Sequence, residues 1–363
     1  VSKHVLLTGG FGNVGAQTVR ALVAQGYQVT VFDVHSPHND TVQADLDGEL
    51  SFETEWVDLT DDEAVKTAVS RLNPDAIVHV AAIIAPTAYV IPDKARAVNV
   101  DGTRTLIEAA QSLESKPRFV FTSSYSVHGP RNPRRDLPRL TGDTPVAPGD
   151  NYGCHKVEGE RMVRSSTLPW TIIRLPAVWA LDSDFGSAPE FLKFGYLLPP
   201  ERREHAIDVR DVATALTNAV EADCVGRTFD IAGGEGWNRT AGELVAMTYE
   251  AKGLAAAPIE AYRMADPEVD ESWYFEDWVD TSESQRVLSY QNHTLEQYYR
   301  DIRVTGAKRL MMKVLGPMIK KKILEPSPYY GKPRTPDPTP MKQVIVEAFG
   351  LDPELAECEE LAE

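Results

Sequence analysis

Three features of the 363-residue sequence predict an α/β fold, a doubly wound parallel sheet joined to a second, smaller and mostly helical domain. Short runs rich in Val, Ile and Phe alternate with longer segments whose apolar residues recur at helical spacing. The short runs are apolar on both faces, as strands covered by helices on each side must be. After Leu175 the alternation breaks, so the second half contains a different architecture.

In chain order, His4–Thr8 is the first predicted strand and Asn13–Gln25 the first helix, with Gly26 where a helix C-cap belongs. Gln28–Val34 follows as a strand, then a weaker one over Thr54–Asp58 and a helix over Asp62–Arg71. The strand Ala76–Ala82, the helix Ala95–Gln111, the strand Arg118–Ser123, the helix Tyr152–Ser165 and the strand Thr171–Leu175 continue the pattern. Residues 179–206 hold Pro189, Pro199 and Pro200 and no clear strand, which suits an inserted segment for substrate. A helix over Val209–Val220 and a strand over Thr228–Ala232 return to the sheet pattern, and from Thr240 the chain reads as helical and irregular. The expected organisation is a sheet domain of residues 1–178 and 207–234, a second domain of 179–206 and 235–305, and a tail of 306–363.

The tail has two parts. Residues 306–324 carry Lys308, Arg309, Lys313, Lys320, Lys321 and Lys322 and no acid, with Leu310, Met311, Val314, Leu315 and Ile319 between them. A basic amphipathic helix can lie on an anionic membrane; a helix packed on its own domain, its basic face in water, is the expectation. Residues 326–340 are proline-rich and predict a linker or surface arm, with a helix beyond.

A net charge of −17 favours solubility and argues against a nucleic-acid partner, whose phosphates it repels. Cys154, Cys224 and Cys358 are far apart and form no CxxC, so three thiols are expected, with no disulfide framework, zinc site or other metal. The first residues read as strand rather than leader, and no apolar stretch reaches bilayer length, so a cytoplasmic location is expected.

Thr8-Gly9-Gly10-Phe11-Gly12-Asn13-Val14-Gly15 closes the first strand and opens the first helix. Glycine there lets the backbone turn tightly and bring N–H groups to a pyrophosphate, which the helix N-terminus also attracts. A plain tight turn is the alternative, and Asp33 weighs against it. It ends the second strand, where a carboxylate accepts hydrogen bonds from an adenosine ribose and repels a 2′-phosphate, favouring NAD(H). His35, just beyond, can soften that preference.

Tyr152 and Lys156 stand four apart at the start of a helix and share a face. A phenol of pKa about 10 is a poor base at neutral pH, but a nearby ammonium favours its phenolate. Tyr152 is thus a candidate general acid/base for hydride transfer to or from an alcohol. Ser123 and Ser124 end the fifth strand at the carboxyl edge of the sheet, where a hydroxyl can bond a substrate carbonyl.

With these motifs in order, the sequence resembles an extended short-chain dehydrogenase/reductase, the group that includes NAD-dependent epimerases and dehydratases of nucleotide sugars. Beyond the residues above, Asp58-Leu59, His79-Val80-Ala81-Ala82, Asn99-Val100-Asp101-Gly102-Thr103, His128-Gly129, Arg174-Leu175-Pro176 and Asp208-Val209-Arg210-Asp211-Val212 carry the likeness. It runs from residue 4 to 235. The resemblance implies a Rossmann fold in which Gly9, Phe11, Gly12, Asn13 and Val14 meet the pyrophosphate, Asp33 the ribose, and Asp58 and Leu59 the adenine. Ala81 and Ala82 would pass under the cofactor, and Asn99 would support the site. Lys156 would also hold the nicotinamide ribose, and Pro176 to Val178 the carboxamide. Ser124, five before Gly129, is selected over Ser123 as the substrate-orienting hydroxyl, beside Tyr152 and Lys156. A homodimer through the helices of Ala95–Gln111 and of Tyr152 is also implied.

The sequence departs from sugar-nucleotide enzymes in places. Ala177-Val178-Trp179 lacks the Asn that such epimerases carry after the sixth strand, and Arg202-Arg203-Glu204-His205 does not align with their Arg. Tyr125, rather than an acid, follows the serine, which disfavours elimination of water. The expected activity is NAD-dependent oxidoreduction of a secondary alcohol or ketone. A hydrophobic or sterol-like substrate is suggested by Trp179, Phe185, Phe191, Phe194, Tyr196, Leu197 and Leu198, although core packing explains the same residues. A nucleotide-sugar 4-epimerase with retained NAD is the alternative, and a non-enzymatic NAD-sensing protein a third reading. Arg131, Arg134, Arg135 and Arg139 can either catch an anionic substrate or pair with nearby acids.

Overall fold

The computed structural model describes residues 2–181, 189–234 and 236–352. Its strands are β1 (His4–Thr8), β2 (Gln28–Asp33), β3 (Glu53–Trp56), β4 (Ala76–His79), β5 (Arg118–Ser124), β6 (Trp170–Leu175), β7 (Val178–Trp179), β8 (Arg203–His205), β9 (Ile207–Asp208), β10 (Arg227–Asp230) and β11 (Asn238–Thr240). Seven of them form one parallel sheet in the order β10-β6-β5-β4-β1-β2-β3. The chain runs outward in opposite directions from β1 and β4, so a crevice opens at their carboxyl ends.

Residues alternate between the two faces of β1. Val5 and Leu7 face a core shared with Val19 and Leu22 of α1 (Asn13–Ala24), and Leu6 faces the opposite layer. The polar helix α2 (Pro37–Asp47) was absent from the sequence reading because it buries only Asn39 and Leu46; Ser36 caps it by accepting from the Asn39 N–H. On the face opposite α1, α3 (Asp62–Leu72) covers the sheet.

The predicted helix Ala95–Gln111 is composite. After α4 (Thr87–Val90), α5 (Pro92–Arg96) passes through a π-helical segment, Ala97–Gly102, into α6 (Thr103–Ser112). The wider turn contains Asn99, whose amide pairs with both backbone groups of Ile83, and Gly102, where a Cβ would lie 2.9 Å from that of Leu59. Likewise β4 ends at His79 rather than Ala82. There the chain leaves the sheet, and the N–H groups of Val80 and Ala81 are taken up by the Thr8 hydroxyl at 3.2 Å.

Then come α7 (Asn151–Ser165), packed against β5, and α8 (Pro189–Leu197), followed by α9 (Val209–Asn218) beside α1. Residues 179–206, read as strandless, contain β8, which pairs antiparallel with β11; β7 and β9 pair with each other. Short strands of two or three residues carry too little alternation to be recognised. The remaining helices are α10 (Ala241–Ala251), α11 (Ser282–Leu288), α12 (Leu295–Asp301), α13 (Gly306–Leu324) and α14 (Met341–Phe349). The proline-rich stretch before α14 is pinned. The fully buried Arg263 donates to the Asp337 carboxylate at 2.8 Å and to the Thr339 carbonyl at 2.6 Å. Cys224 is a free buried thiol, but Cys154 is disulfide-bonded, which corrects the expectation of three thiols; Cys358 lies outside the described residues.

Candidate active site

The loop between β1 and α1 is shaped by two glycines. Gly9 has φ +71° and lies so close to Ala81 that a Cβ would approach its backbone to 2.7 Å; a Cβ on Gly15 would lie 1.9 Å from the Gly9 carbonyl. The loop therefore folds flat against the start of α1. That helix begins at Gly12, which contributes no capping side chain, and its first turn contains no acid. Its first N–H groups open on a cleft of about 450 Å³ lined by Gly9, Phe11, Gly12, Asn13, Val14, Asp33, Asp58, Leu59, Ala81 and Ala82. Unsatisfied donors at a helix start and an open glycine surface suit a pyrophosphate. The residues present fit a dinucleotide.

Asp33 is fixed at the cleft edge. Its carboxylate accepts from the N–H of Phe11 at 3.0 Å and of Val34 at 2.8 Å, and from the Asn39 amide at 3.1 Å. Burial pushes its pKa up, and the Phe11 and Val34 amides oppose the rise. His38 and Asn39 line the cleft beside it. His35, exposed just beyond, pairs with Asp40 at 3.0 Å. Asn99 is 3 % exposed and lies behind the cleft, where its amide holds both backbone groups of Ile83 in the cleft wall.

A second cavity of about 280 Å³ continues from the first past Asn13, Val14 and Ala82. Ser124, Tyr152, Lys156, Pro176 and Val178 line it. Asp150 starts α7 by accepting from the Gly153 N–H at 2.6 Å and from the Tyr89 hydroxyl. Lys156, one turn along, donates to the Thr122 carbonyl at 2.8 Å with its ammonium 5.9 Å from the Tyr152 ring centre. Ser123 and Ser124 diverge. The Ser123 hydroxyl turns inward to Glu160 at 2.6 Å, whereas the Ser124 hydroxyl lines the cavity, 3.4 Å from that of Ser126.

Burial dominates the electrostatics here. It brings Lys156 down to about 8 and pushes Tyr152 well above the ordinary phenol value; the Ser124 hydroxyl opposes the rise in Tyr152, and Asp150 adds to it. The protein by itself therefore favours the neutral phenol of Tyr152.

Several wall residues carried no signal in the sequence. Ser126, Tyr274 and Glu276 face the second cavity, and Arg202 bridges Glu276 at 3.0 Å and Glu204 at 2.8 Å while lying over the Tyr274 ring. Their segments become neighbours only through the fold. Asp150 was legible as a helix cap, but the helix was started at Tyr152. Of the apolar residues in 179–206, Phe194 reaches this cavity. Trp179, Tyr196, Leu197 and Leu198 join hydrophobic clusters, and Phe185 lies outside the described residues. Arg131 and Arg135 pair with Asp277 and Asp270 at 3.0 and 2.8 Å, as the alternative of pairing with nearby acids expects.

A family model described as the NAD dependent epimerase/dehydratase family matches residues 5–181. The D-erythronate dehydrogenase of Cupriavidus necator is 27% identical over 247 residues, covering 60% of this chain and 72% of that protein. UDP-glucose 4-epimerase 4 of Oryza sativa subsp. japonica is 32% identical over 184 residues, 48% of each chain. Among solved structures, the dTDP-glucose 4,6-dehydratase of Bacillus anthracis in complex with NAD has a TM-score of 0.68 and 17% identity, covering 83% of this chain and 95% of that one, a likeness of fold.

Proposed function

We propose that this chain, whose residues 5–181 match the NAD dependent epimerase/dehydratase family, interconverts a small secondary alcohol and its ketone with NAD(H). The reading rests on one observation: Ser124, Tyr152 and Lys156 share the wall of a cavity continuous with the dinucleotide cleft. Bound NAD(H) supplies the hydride acceptor or donor. Gly9, Phe11, Gly12, Asn13 and Val14 bind its pyrophosphate, Asp33 its adenosine ribose, and Asp58 and Leu59 flank the adenine. Ala81 and Ala82 would line its path, Lys156 would hold the second ribose, and Pro176 and Val178 would meet the carboxamide.

In the reductive direction Ser124 orients the ketone oxygen and the neutral Tyr152 hydroxyl donates its proton to it. In the oxidative direction Tyr152 must give up that proton before it can accept one, and the Lys156 ammonium near its ring favours this. A cavity of about 280 Å³ is at the low end for small-molecule sites. Polar groups from Ser124, Ser126, Tyr152, Tyr274 and Glu276 suit a small polyhydroxylated compound better than a sterol. The likeness to a D-erythronate dehydrogenase points the same way.

The test follows absorbance of added NADH or NAD against a panel of sugar acids, polyols and their ketones. The expected result is stoichiometric change with one of them, and a loss of about 10² to 10⁴ in kcat for Tyr152→Phe with NADH binding intact. Turnover of a nucleotide sugar with no change in external NAD(H) would instead establish the epimerase, the reading favoured by the likeness to UDP-glucose 4-epimerase. Full activity in Tyr152→Phe would remove the acid/base role.

A further inference from the structure

The helix α13 is apolar on two opposite sides. One side rests on the protein: Ile319, Ile323 and Leu324 join Tyr196 and Tyr249, and Arg309 and Met312 lie against Gly253. On the other side Leu310, Val314 and Met318 recur every four residues and are 66, 72 and 65 % exposed, with Met311 and Leu315 beside them at 50 and 37 %. These are five of the fourteen exposed large apolar side chains among the described residues, within nine consecutive positions. The expected solvated basic face is thus an apolar stripe bordered by cations.

At 3.6 residues per turn, Lys313 and Lys320 flank the stripe on one side and Lys308 and Lys322 on the other, with Lys321 at its C-terminal end. Among the described residues, none of these five lysines forms an ion pair, in a chain whose net charge is −17. No acid interrupts residues 306–324. We propose that α13 docks the protein onto an anionic lipid surface, with Leu310, Met311, Val314, Leu315 and Met318 at the acyl boundary and the lysines at the headgroups.

Charge complementarity selects this occupant. An anionic bilayer attracts the lysine-bordered face and repels the rest of the acidic molecule, which also sets the orientation. Lysine stems can lie along the apolar stripe while their ammonium groups reach phosphate. Among the described residues no helix is long and apolar enough to cross a membrane, so α13 lies on the surface.

The experiment is flotation of the full chain with vesicles of phosphatidylcholine, with and without about 30 % phosphatidylserine, at about 0.1 and 0.5 M salt. Binding is expected only with phosphatidylserine and should weaken at least ~10-fold at the higher salt. The double variant Val314→Glu/Met318→Glu is expected to abolish binding while keeping enzyme activity, and Lys320→Gln/Lys321→Gln/Lys322→Gln to weaken it. Absence of binding to either vesicle, or undiminished binding by the glutamate variant, would overturn the proposal. A dimer in sedimentation that Val314→Glu/Met318→Glu dissociates, without vesicle binding, would assign the stripe to a second copy of the chain and overturn it too.

Discussion

Lys156 is 4 % exposed, and burial lowers it from the ordinary lysine value to about 8. A base whose folded value is depressed gives up its proton earlier in the folded than in the unfolded protein. Its contribution to stability is therefore complete above about pH 10.5 and is lost as pH falls through about 8. Below pH 8 the buried ammonium costs roughly 3 kcal/mol. Urea unfolding of wild type and Lys156→Met should show the difference between them shifting in favour of wild type by up to ~3 kcal/mol between pH 7 and pH 10. A difference constant with pH would mean that Lys156 is not so perturbed. This residue was singled out from its spacing to Tyr152, but burial, unlike spacing, is a property of the surrounding elements.

Within elements, α7 is tied to the sheet by a buried ionic network. Glu160 accepts from Arg174 at 2.8 and 2.9 Å, from Arg164 at 2.9 Å and from Ser123 at 2.6 Å. Arg174 reaches Asp230 at 3.5 Å, and Asp230 meets His128 at 2.8 Å. Burial alone would push the Glu160 carboxyl up, but the Arg174 bonds and charge hold it below the ordinary range. Glu160→Gln is expected to destabilise the protein by about 3 kcal/mol, because Arg174 stays buried with only the more distant Asp230 to offset its charge. Calorimetry or urea unfolding reads this directly, and a loss below ~1 kcal/mol would show that water replaces the carboxylate. Tyr152 and Lys156 sit two turns and one turn before Glu160, so their placement depends on this anchor. The sequence marked Arg174 and His128 as family positions without revealing that they meet.

Across the whole molecule, α14 connects the end of the chain to the active site. Met341, Val344 and Ile345 share a cluster with Tyr89, Tyr152, Leu197 and Tyr274. Ile345→Ala is expected to cost about 2–5 kcal/mol, as large-to-small changes in a packed core do. It should also lower kcat by loosening the cluster that holds Tyr152, measurable as a shifted single unfolding transition together with reduced turnover. Unchanged kcat in a destabilised variant would separate α14 from the site.

Local chemistry sufficed to identify the sheet, the glycine loop and Asp33 from the sequence, because strand periodicity, tight turns and helix starts depend on residues close together in the chain. The Tyr152–Lys156 pair was legible for the same reason, being one helical turn apart. The shorter end of β4, the π-helical turn at Asn99, the inward turn of Ser123 and the wall formed by Tyr274 and Glu276, each in contact with Arg202, were decided only in three dimensions. Each depends on a backbone or charge supplied by a distant segment, and no local pattern encodes that proximity. The outward stripe of α13 belongs with them: the apolar residues were visible, but which side the protein covered was settled by packing.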